Sequence, residues 1–253
     1  MERWVGKVAV VTGSSAGIGA QIVVDLANAG MIVVGLARRK ERVEALKSQT
    51  KGTIHAIQCD VTNEADITNT FKWITDNLGG VDVLVNNAGI VRITKLIEPG
   101  NTTKIKEILD TNVMGVVLCT REAFQSMKSR NVDGHIIIIN SIAGHQVPNM
   151  PGMPSLNIYP PSKHAVTAMT EVLRLEFQSE GTKTKITSIS PGGVKTEIGQ
   201  ASGATFTPEM MEHFANIPML DSADVSSAVI YVLGTKPHVQ VHELIIKPLG
   251  EAV

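Results

Sequence analysis

Residues 7–19 read KVAVVTGSSAGIG, a run of β-branched residues that gives way to a threonine and three glycines. A segment with helical periodicity, 17–29, follows at once. Glycine lets the backbone turn tightly and approach a pyrophosphate, whose charge then rests on the helix N-terminus. Gly13, Ser15, Gly17, Ile18 and Gly19 are the candidate contacts. The spacing is Gly-x-x-x-Gly-x-Gly and departs from the usual Gly-x-Gly-x-x-Gly fingerprint. Taken alone it is equally a tight turn. Its place at the first strand–helix junction favours a dinucleotide loop in a doubly wound α/β fold.

The rest of the chain repeats that alternation. Strand candidates are 7–11, 31–37, 53–59, 81–85, 135–140, 185–190 and 243–247, mostly continuous apolar runs of the kind covered on both faces. Helical segments are expected near 17–29, 40–49, 63–78, 102–130, 160–179 and 222–234. Strands alternating with helices imply right-handed crossovers and a parallel sheet. No linker, repeat or low-complexity tract interrupts residues 1–253, which read as one domain. The least regular stretch, 192–221, is expected to be a substrate lid.

Composition narrows the function classes. The 253 residues carry 23 basic and 24 acidic side chains, a formal charge of −1. No strong field is present to attract nucleic acid or an anionic membrane. No apolar run approaches the ~20 residues needed to span a bilayer. The chain opens without an apolar signal region, and its two cysteines, Cys59 and Cys119, lack metal-ligand spacing and read as reduced, buried thiols. A cytoplasmic protein is expected.

Each strand end offers small or polar residues to one edge of the sheet, where open α/β sheets bind their ligands. After the second strand come Arg38 and Arg39 with no acid. Arginine forks suit a 2′-phosphate, whereas an acid there would suit a ribose hydroxyl, so NADP(H) is expected rather than NAD(H). Asp60 and Val61 follow the third strand, where the carboxylate could accept from adenine or equally form a turn. Asn87, Ala88 and Gly89, within NNAG, follow the fourth. Ser141 follows the fifth, and Pro191, Gly192, Val194 and Thr196, within SPGGVKT, the sixth.

The stretch Ile158–His164, IYPPSKH, opens a helix with two prolines, tolerated only in a first turn. Tyr159 and Lys163 are four apart, one above the other on one helix face. Asn157 is the candidate cap. A residue before proline is steered away from the α region, which bears on how Tyr159 is held.

TGSSAGIG, NNAG, Asn112 in NVMG, Ser141, Tyr159-x-x-x-Lys163 and SPGGVKT, in that order and over essentially the whole chain, resemble the short-chain dehydrogenase/reductase family. The resemblance implies a seven-stranded doubly wound sheet and hydride exchange between a nicotinamide and an alcohol or carbonyl. Tyr159 would be the acid–base group. Lys163 would favour its phenolate and hold the nicotinamide ribose. Ser141 would bind the substrate oxygen, and Asn112 a water linking Lys163 to solvent. Family members of this kind associate through the helices at 102–130 and 160–179, so a homodimer or homotetramer is expected.

MERW, ARRKERVEAL, REAFQSMKSRNVDGHIIIINSIAGH and VHELIIKPLGE resemble one branch of that family. It contains dehydrogenase/reductase member 11 and the insect NADP-dependent farnesol dehydrogenases. Met150, Met153, Leu156, Phe206, Met210, Met211, Phe214, Met219 and Leu220 lie in the segments expected to cover the nicotinamide. They suit an apolar alcohol or carbonyl, or else pack against the fold or a second subunit. Farnesol leads, a hydroxysteroid or general carbonyl follows, and a non-catalytic NADP-binding protein is the reading from another class. His145 and His164 are given no role.

Overall fold

The computed structural model describes residues 1–148, 156–199 and 217–251. Its strands are β1 (Val8–Thr12), β2 (Ile32–Ala37), β3 (Thr53–Gln58), β4 (Val83–Asn86), β5 (His135–Ile139), β6 (Lys185–Pro191) and β7 (Glu243–Ile246). All pair in parallel in one sheet of order β3-β2-β1-β4-β5-β6-β7. The order reverses between β1 and β4, so crossovers leave those two strands toward opposite faces.

The continuous apolar strands follow from this layering. In β1, Ala9 and Val11 face one layer with α1 (Gly17–Asn28) and α7 (Ser222–Gly234), through Ile22, Leu26, Val225 and Val229. Val8 and Val10 face the other, with α3 (Glu64–Leu78), α5 (Gly115–Ser129) and α6 (Tyr159–Ser179), through Ile67, Phe71, Val116, Val166 and Phe177. Both faces of the central strands β1, β4, β5 and β6 are buried throughout, so alternation would serve no purpose there. Cys59 and Cys119 are free and buried, and burial pushes the Cys59 thiol up to about 11. No helix among the described residues is long and apolar enough to cross a membrane.

Two expected helices differ. The 40–49 segment is α2 (Lys40–Ala45) followed by a 3-10 turn at Leu46–Gln49. The long 102–130 helix is instead α4 (Thr102–Leu109), a π-helical turn at Asp110–Met114, and α5. A π turn inserts an extra residue into the helical ladder and is frequent at functional sites. Here it carries Asn112.

One carboxylate ties the lower edge of the sheet. Asp82 is buried; its Oδ2 accepts from the Val8 amide at 2.9 Å and its Oδ1 pairs with Arg130 Nη1 at 3.1 Å. It thereby joins the starts of β1 and β4 to the end of α5. Asp82→Ala strands the buried Val8 amide and leaves Arg130 with only its carbonyl partners, and should lower the unfolding free energy by about 1–3 kcal/mol with an unchanged urea slope. A loss below about 0.5 kcal/mol would show that water replaces the carboxylate.

Candidate active site

A cleft of about 520 Å³ opens over the C-terminal strand ends. Its walls bring together Gly13, Ser15, Gly17 and Ile18, then Arg38 and Arg39, Asp60 and Val61, and Asn87, Ala88 and Gly89. Ser141, Tyr159, Lys163, Pro191, Gly192, Val194 and Thr196 complete it. Of the residues singled out in the sequence, Gly19 and Asn112 stand behind the wall.

The loop after β1 is shaped to receive a phosphate. Gly13 and Gly17 have φ of +65° and +56°, where a side chain is strained. A Cβ on Gly13 would lie 2.7 Å from the Ala88 Cα. At Gly19 a Cβ would run into Asn87 Nδ2 and the Gly13 carbonyl, so this glycine lets the helix sit close rather than touching a ligand. α1 begins without a side-chain cap and without an acid in its first turn, leaving amides and the positive dipole end toward the cleft. Ser14 turns away, donating to the Leu36 carbonyl at 3.1 Å. This cradle fits the pyrophosphate of a nicotinamide dinucleotide.

The loop after β4 is fixed to that cradle. Thr12 Oγ1 accepts from the amides of Asn87 and Ala88, both at 3.0 Å. Asn87 Nδ2 donates back to the carbonyls of Thr12, at 2.9 Å, and Gly13, at 3.1 Å. Asp60 both lines the cleft and closes a turn, accepting from the amide and hydroxyl of Thr62 at 3.0 and 2.8 Å.

Ser141, Tyr159 and Lys163 meet at the other end. Lys163 Nζ lies 5.8 Å from the centre of the Tyr159 ring and donates to the Ile139 carbonyl at 3.0 Å. Ser141 stands beside Tyr159, its hydroxyl favouring the phenolate, while its Oγ accepts from the Ala143 amide at 3.1 Å. The prolines therefore leave the pair intact: Tyr159 is the first residue of α6, and Pro160 and Pro161 complete its first turn. Asn157 does not cap it. Ile158 occupies the cap, while Asn157, at φ +46°, spends its side chain on the Ile158 amide and the Arg92 carbonyl. A cap serves the amides at the second and third helical positions, and here both are prolines.

Asn112 is 1% exposed and fully engaged. Its Oδ1 accepts from the Ile90 amide at 2.9 Å, and its Nδ2 donates to the Ile90 carbonyl at 3.0 Å and to Ser162 Oγ at 3.3 Å. Ser162 in turn donates to the Tyr159 carbonyl at 2.7 Å. The π turn is thus tied to the first turn of α6.

Burial sets the electrostatics of the ligand-free site. Burial pushes the Tyr159 phenol up, and the neighbouring Ser141 hydroxyl offsets this only in part. Burial also pulls Lys163 down, to about 8. Desolvation outweighs the attraction expected between ammonium and phenolate, so the ligand-free site holds a neutral phenol.

Several wall residues had no sequence signal. Asn140 lines the cleft from within a strand-end motif, and Thr12 stands behind the wall, joining the loops after β1 and β4. Asn140 Nδ2 donates to Thr167 Oγ1 at 2.9 Å, bracing β5 against α6. Arg92, Glu107, Asp110 and Thr111 also line the cleft, with Arg92 Nε donating to Glu107 Oε2 at 2.7 Å. Of the apolar cover, Met150, Met153, Phe206, Met210, Met211 and Phe214 lie outside the described residues, as does much of the 192–221 lid. The two ends of that segment are joined by hydrogen bonds, the Leu220 amide donating to the Gly193 carbonyl at 2.8 Å and the Lys195 amide to the Leu220 carbonyl at 2.9 Å.

A family model described as short chain dehydrogenase matches residues 7–206. The chain is 58% identical to farnesol dehydrogenase of Aedes aegypti, across 99% of each chain. It is 42% identical to dehydrogenase/reductase SDR family member 11 of Mus musculus, over 98% of this chain and 96% of that one. Among solved structures, the closed form of serine dehydrogenase complexed with NADP+ superposes with a TM-score of 0.87 at 30% identity, covering 97% and 96% of the two chains. The chain belongs to the short-chain dehydrogenase family and is an oxidoreductase with a nicotinamide dinucleotide cofactor.

The lowered Lys163 has a consequence for stability. Between about 8 and the ordinary 10.5 the unfolded state holds the extra proton, so stability rises with pH across that window. Relative to Lys163→Met, the wild type should gain on the order of 3 kcal/mol of unfolding free energy between pH 7 and 10.5. Urea midpoints of the cofactor-free proteins measure this, and a difference independent of pH would contradict it.

Proposed function

We propose that this protein exchanges hydride between NADP(H) and an apolar alcohol or its carbonyl, with farnesol and farnesal the leading pair. The observation that carries the chemistry is the meeting of Ser141, Tyr159 and Lys163 on one wall of a dinucleotide cleft. The likeness to farnesol dehydrogenase over almost the whole of both chains supports the substrate.

When bound, the dinucleotide gives or takes the hydride. The remaining work falls to the chain. Arg38 and Arg39 receive the 2′-phosphate, Asp60 faces adenine, and the loop after β1 takes the pyrophosphate. Gly89, Pro191, Gly192, Val194 and Thr196 line the same cleft and would hold the nicotinamide end. Ser141 Oγ holds the substrate oxygen as charge develops on it. Tyr159 Oη gives that oxygen a proton in reduction and takes it in oxidation. Lys163 holds the nicotinamide ribose and biases the phenol by its charge. Because the Asn112 side chain is spent on Ile90 and Ser162, a water leading from Lys163 to solvent would be held by the main chain of the π turn. A raised phenol suits Tyr159 as an acid near neutrality, so carbonyl reduction should fall, and alcohol oxidation rise, as pH climbs.

Residues 1–253 act as one such domain, with 192–221 as its lid. Leu156, Met219 and Leu220, partly buried and outside the lining of the ligand-free cleft, would add apolar surface only with the lid in place. Val172 and Leu175, half exposed on α6, support association into a homodimer or homotetramer.

Purified protein should oxidise farnesol faster with NADP+ than with NAD+, as read by nicotinamide fluorescence. Tyr159→Phe should lose about 10²–10⁴-fold of that rate, and light scattering on the same sample should give two or four chains. Turnover of steroids or dicarbonyls with none of farnesol would move the substrate. NADP+ binding without turnover of any alcohol or carbonyl would sink the catalytic reading.

A further inference from the structure

A carboxylate reaches the cofactor end of the cleft from far along the chain. Glu197 lies on the segment leaving β6, 155 residues after Arg42. Its Oε2 stands 3.0 Å from Arg42 Nη1 and 3.6 Å from Arg39 Nη2. Arg42 Nη1 also donates to Oε1 at 3.3 Å. The same Nη2 of Arg39 donates to Ser15 Oγ at 3.3 Å. Ser15, Arg39 and Glu197 all line the cleft.

The missing acid at the end of β2 thus has a counterpart delivered from β6. A 2′-phosphate carries nearly two negative charges and three acceptor oxygens. To use Arg39 it must approach the arm that now faces Glu197, against a like charge. A ribose 2′-hydroxyl meets no such opposition and could donate to the carboxylate.

We propose that Glu197 is a specificity-determining residue for the dinucleotide. Its carboxylate occupies the guanidinium arms that a 2′-phosphate would take, so NADP(H) binds in competition with the Glu197–Arg39–Arg42 pairing and NAD(H) does not. The protein's preference for the phosphorylated cofactor is thereby held below what its arginines alone would give. This rests on the reading that Arg39 receives the 2′-phosphate. The groups are half exposed, 49% at Arg39 and 51% at Glu197, so screening keeps the effect to a few fold.

Calorimetric titration of NADP+ and NAD+ into wild type, Glu197→Gln, Glu197→Ala and Arg39→Ala tests it. Both Glu197 variants should bind NADP+ about 3- to 5-fold tighter, with NAD+ unchanged or weakened by less than about 2-fold. Melting curves establish that the variants fold. Unchanged or weaker NADP+ binding would overturn the proposal, since Glu197 would then be a brace for Arg39. Equal tightening of both dinucleotides would overturn it too, leaving only a general charge effect. Arg39→Ala separates the two readings: selective loss of NADP+ binding keeps Arg39 as the phosphate's partner whatever Glu197 does. Loss of neither dinucleotide overturns both.

Discussion

Everything in the site hangs on how the loops after β1 and β4 are held where the strand order reverses. The crossovers from these neighbours depart to opposite faces, and their loops splay and leave the cleft between them. One threonine hydroxyl bridges the gap by accepting from two successive amides, at Asn87 and Ala88, while Asn87 returns its own amide to the Thr12 and Gly13 carbonyls. These bonds set the width of the cleft, and the absent Cβ of Gly13 lets the loops touch without clashing.

On that frame the chemistry is governed by burial. Lys163 is 6% exposed, and removing an ammonium and a phenol from water disfavours the charged form of each. The protein accepts this cost because a dry site strengthens each hydrogen bond made to a reacting oxygen. Position is supplied from behind. The π turn carrying Asn112 is tied through Ser162 to the Tyr159 backbone, and Asn140 through Thr167 to the next turn of α6. The acid–base pair is set on a helix whose start is braced from two sides.

Much of this was legible in the sequence, for physical reasons. Continuous apolar strands betray a sheet covered on both faces, and small or polar residues at each strand end converge because parallel strands all finish on one edge. Pro160 and Pro161 located the start of α6 because proline fits only a first turn. The segment Asp110–Met114 gave no warning, since a π turn uses the same residue types as an α-helix. Glu197 was invisible as a partner of Arg39 and Arg42 because pairing across so long a separation is a product of the fold. The cap at Asn157 failed for want of amides to cap. The direction of the Tyr159 shift depended on desolvation, which no spacing of residues encodes.

The account stands or falls on hydride passing directly between a dinucleotide in this cleft and the substrate carbon beside Tyr159. The most direct measurement is deuterium transfer. NADPH labelled at C4, on one ring face and then the other, is turned over with farnesal and the farnesol is examined by mass spectrometry. The account predicts one deuterium at the carbinol carbon from one labelled face and none from the other. Farnesol formed without deuterium from either face would contradict it.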